Sequence, residues 1–226
     1  MKKTFIVANW KSNKTEIEAN SWLEEISKFR FEISNKEIII CPPFTFLLEL
    51  KNGIKDKNLE FKLGGQNISQ FDEGPYTGEM SAKQIKDFAK YVLIGHSERR
   101  KIFFETDEIV NAKIVQAFKN ELTPIICVSN LEQAQAILNS VKGKTGFIVA
   151  YEPIFAIGSG TADTPENADK MAKNIKSILG NVFVLYGGSV TPVNINGFAK
   201  MSSIDGVLIG RASLNVKEFY EIIQNA

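Results

Sequence analysis

Tyr91-Val92-Leu93-Ile94 runs directly into Gly95-His96-Ser97-Glu98-Arg99-Arg100. A continuous apolar run, rather than an alternating one, predicts a strand buried on both faces. Ser97 to Arg100 predict the first turn of a helix. The stretch is one strand-to-helix unit, and the chain holds more of them. Further β-type runs, most of them also continuously apolar, occupy residues 5–8, 38–41, 59–63, 124–128, 147–151, 182–186 and 206–209, which makes eight expected strands.

Helical stripes lie between them. Ala19, Trp22, Leu23, Ile26 and Phe29 recur at helical spacing, as do Ala168, Met171, Ala172, Ile175, Ile178 and Leu179. Thr164 is the expected N-cap of the latter, with Pro165 at its first position. Val110, Ile114, Ala117 and Phe118 form a third stripe, and Leu131, Ala134, Leu138 and Val141 a fourth. Weaker helices are expected at 44–51, 82–89, 192–199 and 216–223. Strand centres from Val7 to Val207 repeat about every 29 residues, the length of a strand-plus-helix unit. Eight such units predict an α/β chain folded as a closed (β/α)8 barrel, one domain over residues 1–226. The alternative is an open doubly wound sheet, which favours a glycine-rich turn after its first strand. Here that turn reads Asn9-Trp10-Lys11-Ser12-Asn13.

Composition narrows the function classes. The 226 residues are 44% hydrophobic and 23% charged, which excludes a disordered chain. A formal net charge of +1 gives no footprint for nucleic acid or an anionic membrane. Cys41 and Cys127 sit in apolar runs, so they are expected in the core of a chain in a reducing cytoplasm. With one histidine they give no metal-binding pattern. Met1-Lys2-Lys3 is followed by too short an apolar stretch for a signal peptide. The apolar-rich residues 38–48 contain Pro42-Pro43 and fall short of the ~20 residues of a membrane span.

In such a barrel the loops after the strands share one face, and chemistry belongs there. Lys11, after the first strand, is a candidate for an anionic ligand, although alone it resembles any surface lysine. His96 is the only histidine, so imidazole chemistry must use it; a buried structural histidine is the competing reading. A helix N-terminus at the ring is expected to keep it neutral and donating. Glu152 ends the sixth strand and is either a rim ion-pair carboxylate or a general base. If Ile154, Phe155 and Ile157 fold over it, desolvation raises its basicity. Residues 153–163 carry Gly158 and Gly160 between two prolines and are expected to form a lid. Gly187-Gly188-Ser189 and Gly210 follow strands seven and eight, where this barrel class places a phosphate.

These pieces resemble the triosephosphate isomerase family along essentially the whole chain. The matching segments are Ala8-Asn9-Trp10-Lys11, Gly65-Gln66-Asn67, Gly74-Pro75-Tyr76-Thr77-Gly78-Glu79, the Ile94 to Arg100 stretch, Ala150 to Gly160, and Tyr186-Gly187-Gly188-Ser189-Val190. The resemblance implies a single TIM barrel that interconverts dihydroxyacetone phosphate and glyceraldehyde 3-phosphate without a cofactor or metal. It implies Glu152 as base and a neutral His96 as electrophile, an assignment for which the family is known. It implies Lys11 and Asn9 on the enediolate, with Glu98 positioning Lys11 and Ser97 in support. The backbone N–H groups of Gly158, Ser189, Gly210 and Arg211 would hold the phosphate. A homodimer is implied, with the loop around Thr77 reaching into the partner's site.

The sequence also departs from the family pattern. Phe155 stands where the lid has tryptophan, and Thr161-Ala162-Asp163 where its hinge begins with lysine. Ser129-Asn130 replaces the Gly-Glu whose glutamate supports Arg99. Phe104 and Arg211 each replace a glycine. Helices after strands five and seven look trimmed. Two other readings compete: another phosphate-binding barrel isomerase or lyase, and a catalytically silent sugar-phosphate binder.

Overall fold

The computed structural model describes residues 2–226. Eight parallel strands close in sequence order into one barrel: β1 (Thr4–Asn9), β2 (Lys36–Cys41), β3 (Lys62–Gly65), β4 (Tyr91–Ile94), β5 (Thr123–Val128), β6 (Ile148–Tyr151), β7 (Phe183–Tyr186) and β8 (Gly206–Ile209). The outer ring follows the same order: α1 (Glu16–Ile26), α2 (Leu47–Asp56), α3 (Ala82–Lys86), α4 (Ser97–Ile102), α5 (Asp107–Lys119), α6 (Leu131–Ala136), α7 (Leu138–Val141), α8 (Pro165–Leu179), α9 (Ile195–Ala199) and α10 (Val216–Asn225). Among the described residues no helix is long and apolar enough to cross a membrane.

The unbroken apolar strands now have a physical account. Phe5, Val7, Ile39, Tyr91, Leu93 and Leu185 point inward and fill the barrel, while Ile6, Ala8, Ile38, Val92 and Ile94 point outward beneath the helices. Successive side chains go to opposite faces, and both faces are dry, so neither set is polar. The barrel closes where Phe5 pairs with Gly206. A Cβ at residue 206 would collide with the Phe5 backbone, so only glycine lets β1 and β8 meet.

Several element bounds differ from the expectation. The third strand is not 59–63 but Lys62–Gly65. The Leu59 N–H donates to Ile54 O at 3.0 Å, so Leu59 belongs to the turn ending α2. Gly64 pairs with Tyr91, and a Cβ there would stand 2.6 Å from Cys41 Sγ. The strand therefore uses residues that strand propensity disfavours, because the crowded barrel interior requires them. The helix expected at 44–51 splits into a 3-10 turn, Phe44–Phe46, and α2, which runs through Gly53 to Asp56. The missing side chain at Gly53 is what lets Leu23 of α1 pack against α2. The fourth stripe breaks into α6 and α7, and α3 and α9 are one or two turns long. Thr164 caps α8 by accepting the Asn167 N–H, with Pro165 next, as read from the sequence.

Candidate active site

A cleft of about 750 Å³ opens at the C-terminal ends of the strands. Asn9, Lys11, His96, Glu98, Glu152, Gly158, Ser189, Gly210 and Arg211 all line it. Ser97 lies just behind, and Thr77 does not reach the cleft; every residue from 71 to 79 is exposed.

The end of β1 builds one wall. Asn9 Oδ1 accepts the Lys11 N–H at 2.9 Å, a local turn that leaves Lys11 at φ +53. A non-glycine residue seldom occupies that left-handed region, so the surroundings must hold it there. Gln66 does so, donating from Nε2 to Lys11 O at 2.8 Å and to Cys41 O at 2.9 Å. The Lys11 ammonium is ion-paired with Glu98.

The β4 end supplies the imidazole. His96 is the N-cap of α4, and its Nδ1 accepts the Glu98 N–H at 3.3 Å. An accepting Nδ1 places the imidazole proton on Nε2, the neutral donating form. That Nε2 faces Glu152 Oε1 at 3.1 Å. Burial pushes the His96 pKa down, but Glu152 and then Glu98 outweigh it, and the net shift is upward. The sequence expectation weighed only the helix N-terminus and omitted this neighbouring carboxylate.

Glu152 is 2% exposed at the end of β6. Its Oε2 accepts the Ser97 N–H at 2.9 Å, and the Cys127 side chain lies against it. Gly187 leaves room for it, since a Cβ there would stand 3.1 Å from Glu152 Cγ. Burial pushes its pKa up, but His96 and the Ser97 N–H hold it net below the usual carboxylate range. The expected covering by lid side chains is not what buries it. Ile154 is 66% and Phe155 62% exposed, because the 3-10 turn Ile154–Ala156 turns them outward and buries Ala156 instead. Glu152 therefore rests against the N-terminus of α4.

The far end of the cleft is backbone-rich. Ser189 sits at φ +48, and its Oγ donates to Ala156 O at 2.5 Å, tying the β7 loop to the 153–163 segment. A Cβ at Gly188 would lie 2.6 Å from the Tyr186 hydroxyl, so that loop also requires glycine. Tyr186 and Gln66 lie in the family-like segments Tyr186 to Val190 and Gly65 to Asn67, yet nothing in the sequence marks them as supports. Arg99, without its usual glutamate, pairs with Glu105 at 2.5 Å from Nε, and Lys113 completes the cluster, donating to both Glu105 and Asn67.

Comparison with known proteins agrees with this architecture. The Triosephosphate isomerase family profile matches residues 4–226. The chain is similar to curated triosephosphate isomerases from Mycoplasma mobile, 40% identical over 99% of this chain and 100% of that one, and Dictyoglomus turgidum, 39% identical over 100% of both. It is 37% identical to the one from Carboxydothermus hydrogenoformans, again over 100% of both chains. With a closed eight-stranded barrel, and with profile and relatives matching essentially end to end, this chain belongs to the triosephosphate isomerase family.

Proposed function

We propose that the chain is an isomerase interconverting dihydroxyacetone phosphate and glyceraldehyde 3-phosphate, the glycolytic and gluconeogenic step, with Glu152 as base. The observation that carries this is the buried Glu152 beside the sole histidine, on the cleft that Lys11 and Asn9 also line. The Glu152 carboxylate leaves the Ser97 N–H, takes a proton from the carbon beside the carbonyl, and returns it to the neighbouring carbon. The electron pair released moves onto the carbonyl oxygen, giving an enediolate. His96 Nε2–H donates to that oxygen and passes protons between the two. The Lys11 ammonium and Asn9 stabilise the charge as it grows, which accelerates the step because the charge is largest in the transition state. Atoms and electrons are conserved within the substrate, so the chemistry calls for no cofactor.

The N–H groups of Gly158, Ser189, Gly210 and Arg211 hold the phosphate, and lid closure keeps water out and phosphate on the enediolate. Glu98 positions Lys11, and Ser97 holds the resting base. Residues 1–226 are read as one domain. The exposed 71–79 loop, with Phe71 and Tyr76 stacked at 4.3 Å, supports a homodimer in which Thr77 meets the partner's site. The two buried free thiols, Cys41 and Cys127, suit a reducing cytoplasm. A coupled isomerase assay in both directions tests the reading. Glu152→Gln keeps the size and hydrogen-bonding reach of the side chain and is expected to lower kcat about 10³-fold. An inactive parent protein, or a Glu152→Gln variant within tenfold of it, overturns the assignment.

A further inference from the structure

Arg211 brings a full positive charge to the phosphate end of the cleft, which otherwise offers backbone N–H groups. The formal charges lining the cleft are Lys11 and Arg211 against Glu98, Glu152 and Glu218. That balance is unfavourable for a dianionic substrate. Lys11 is already paired with Glu98, and Glu152 rests against His96. Arg211 forms no ion pair and no side-chain hydrogen bond among the described residues, and it is exposed. It is the one lining cation not already engaged by a carboxylate.

Its backbone, by contrast, is fixed. Arg211 opens the 3-10 turn Arg211–Ser213. Ser213, fully buried, donates from Oγ to Gly210 O at 2.7 Å, and Trp22 Nε1 donates to Ser213 O at 3.1 Å. A flexible guanidinium therefore hangs from a rigid turn beside Gly210, where a Cβ would stand 3.4 Å from Lys11 Cε. The planar guanidinium matches phosphate oxygens two at a time.

We infer that the Arg211 side chain closes on the substrate's phosphodianion, as a binding and specificity residue of this site. This rests on the reading of the cleft as a phosphate site and adds the guanidinium to it. Titration calorimetry with inorganic phosphate tests it without requiring turnover, on the unaltered protein, Arg211→Gly and Arg211→Lys. Loss of one charge-assisted contact is expected to weaken phosphate binding about tenfold in Arg211→Gly, with partial recovery in Arg211→Lys. In the isomerase assay KM rises about tenfold while kcat falls less than threefold, and the salt dependence of KM becomes shallower. Phosphate affinity within twofold of the parent in Arg211→Gly, or no phosphate binding by the parent, overturns the inference whatever KM does. If phosphate binding depends on Arg211 but the parent does not isomerise triose phosphates, the inference stands and the catalytic assignment falls.

Discussion

His96 Nε2 and Glu152 Oε1 stand 3.1 Å apart, so the candidate base rests on the candidate electrophile. The contact couples their titrations. The folded-state pKa of His96 is raised above 6.5, so its contribution to stability is full below 6.5 and fades as pH rises through the folded value. That of Glu152 is lowered from 4.5, so its contribution is full above 4.5 and is lost as pH falls through the folded value. The resting pair is therefore strongest between about pH 4.5 and 6.5. Above the folded His96 value the imidazole is neutral and the carboxylate is freer to leave.

Because the chain has one histidine, its imidazole resonances need no assignment. An NMR titration is expected to give His96 a pKa above 6.5 in the free protein and a lower one in Glu152→Gln. Protonation at Nδ1 breaks the bond from the Glu98 N–H, and Glu98 Oε2, 3.8 Å away, faces the new charge as a counter-ion. Identical titrations in the two proteins would show that Glu152 does not govern the imidazole.

The barrel was legible because most of its strands carry the same buried-on-both-faces signature. The third was misplaced because Gly64 and Gly65 are selected by crowding near Cys41 and Ile85, which propensity does not encode. The places of Lys11, His96 and Glu152 on the cleft were legible because each follows a strand end. Gln66 was not assigned, since its role is to pin a strained backbone that only the folded turn displays. The Arg99 pairing was not legible either: Glu105, Lys113 and Asn67 are brought together by a loop, a helix and a strand end. Ile154 and Phe155 read wrongly as a cover for Glu152, because the 3-10 turn that points them outward is not encoded in their hydrophobicity.

Phe104 carries a different kind of mismatch. It sits at φ +55 with 79% of its surface exposed, so the protomer bears the backbone cost and receives little packing in return. A left-handed conformation costs an L residue about 1–2 kcal/mol, and glycine recovers most of it, less its greater unfolded-state entropy. Phe104→Gly is expected to stabilise the protomer by about 1 kcal/mol, a Tm rise of roughly 2–4 °C for a chain of this size. Denaturant melts at several protein concentrations check this. A loss of stability that grows with concentration would mean that a second copy covers the ring, and would reverse the prediction.

Tyr186 links the barrel to the far end of the lid. Its ring stacks on Phe198 at 4.1 Å, and its hydroxyl accepts the Asp163 N–H at 2.7 Å. Burial pushes its pKa up to about 12, so at neutral pH the hydroxyl stays protonated. Tyr186→Phe keeps the stack and removes only the hydrogen bond, worth about 1 kcal/mol of stability. The larger effect is expected in the reaction. A lid untethered at residue 163 closes less faithfully, so the enediolate is exposed to water and to loss of phosphate. The expected outcome is a fall of about tenfold in kcat/KM with a rise in inorganic phosphate released per turnover. Ser189, which holds the lid at Ala156, is untouched by this change, so the lid keeps its other tie. Unchanged phosphate release with only a lowered Tm would reduce the Tyr186 hydroxyl to a structural support and leave lid control to the β7 loop.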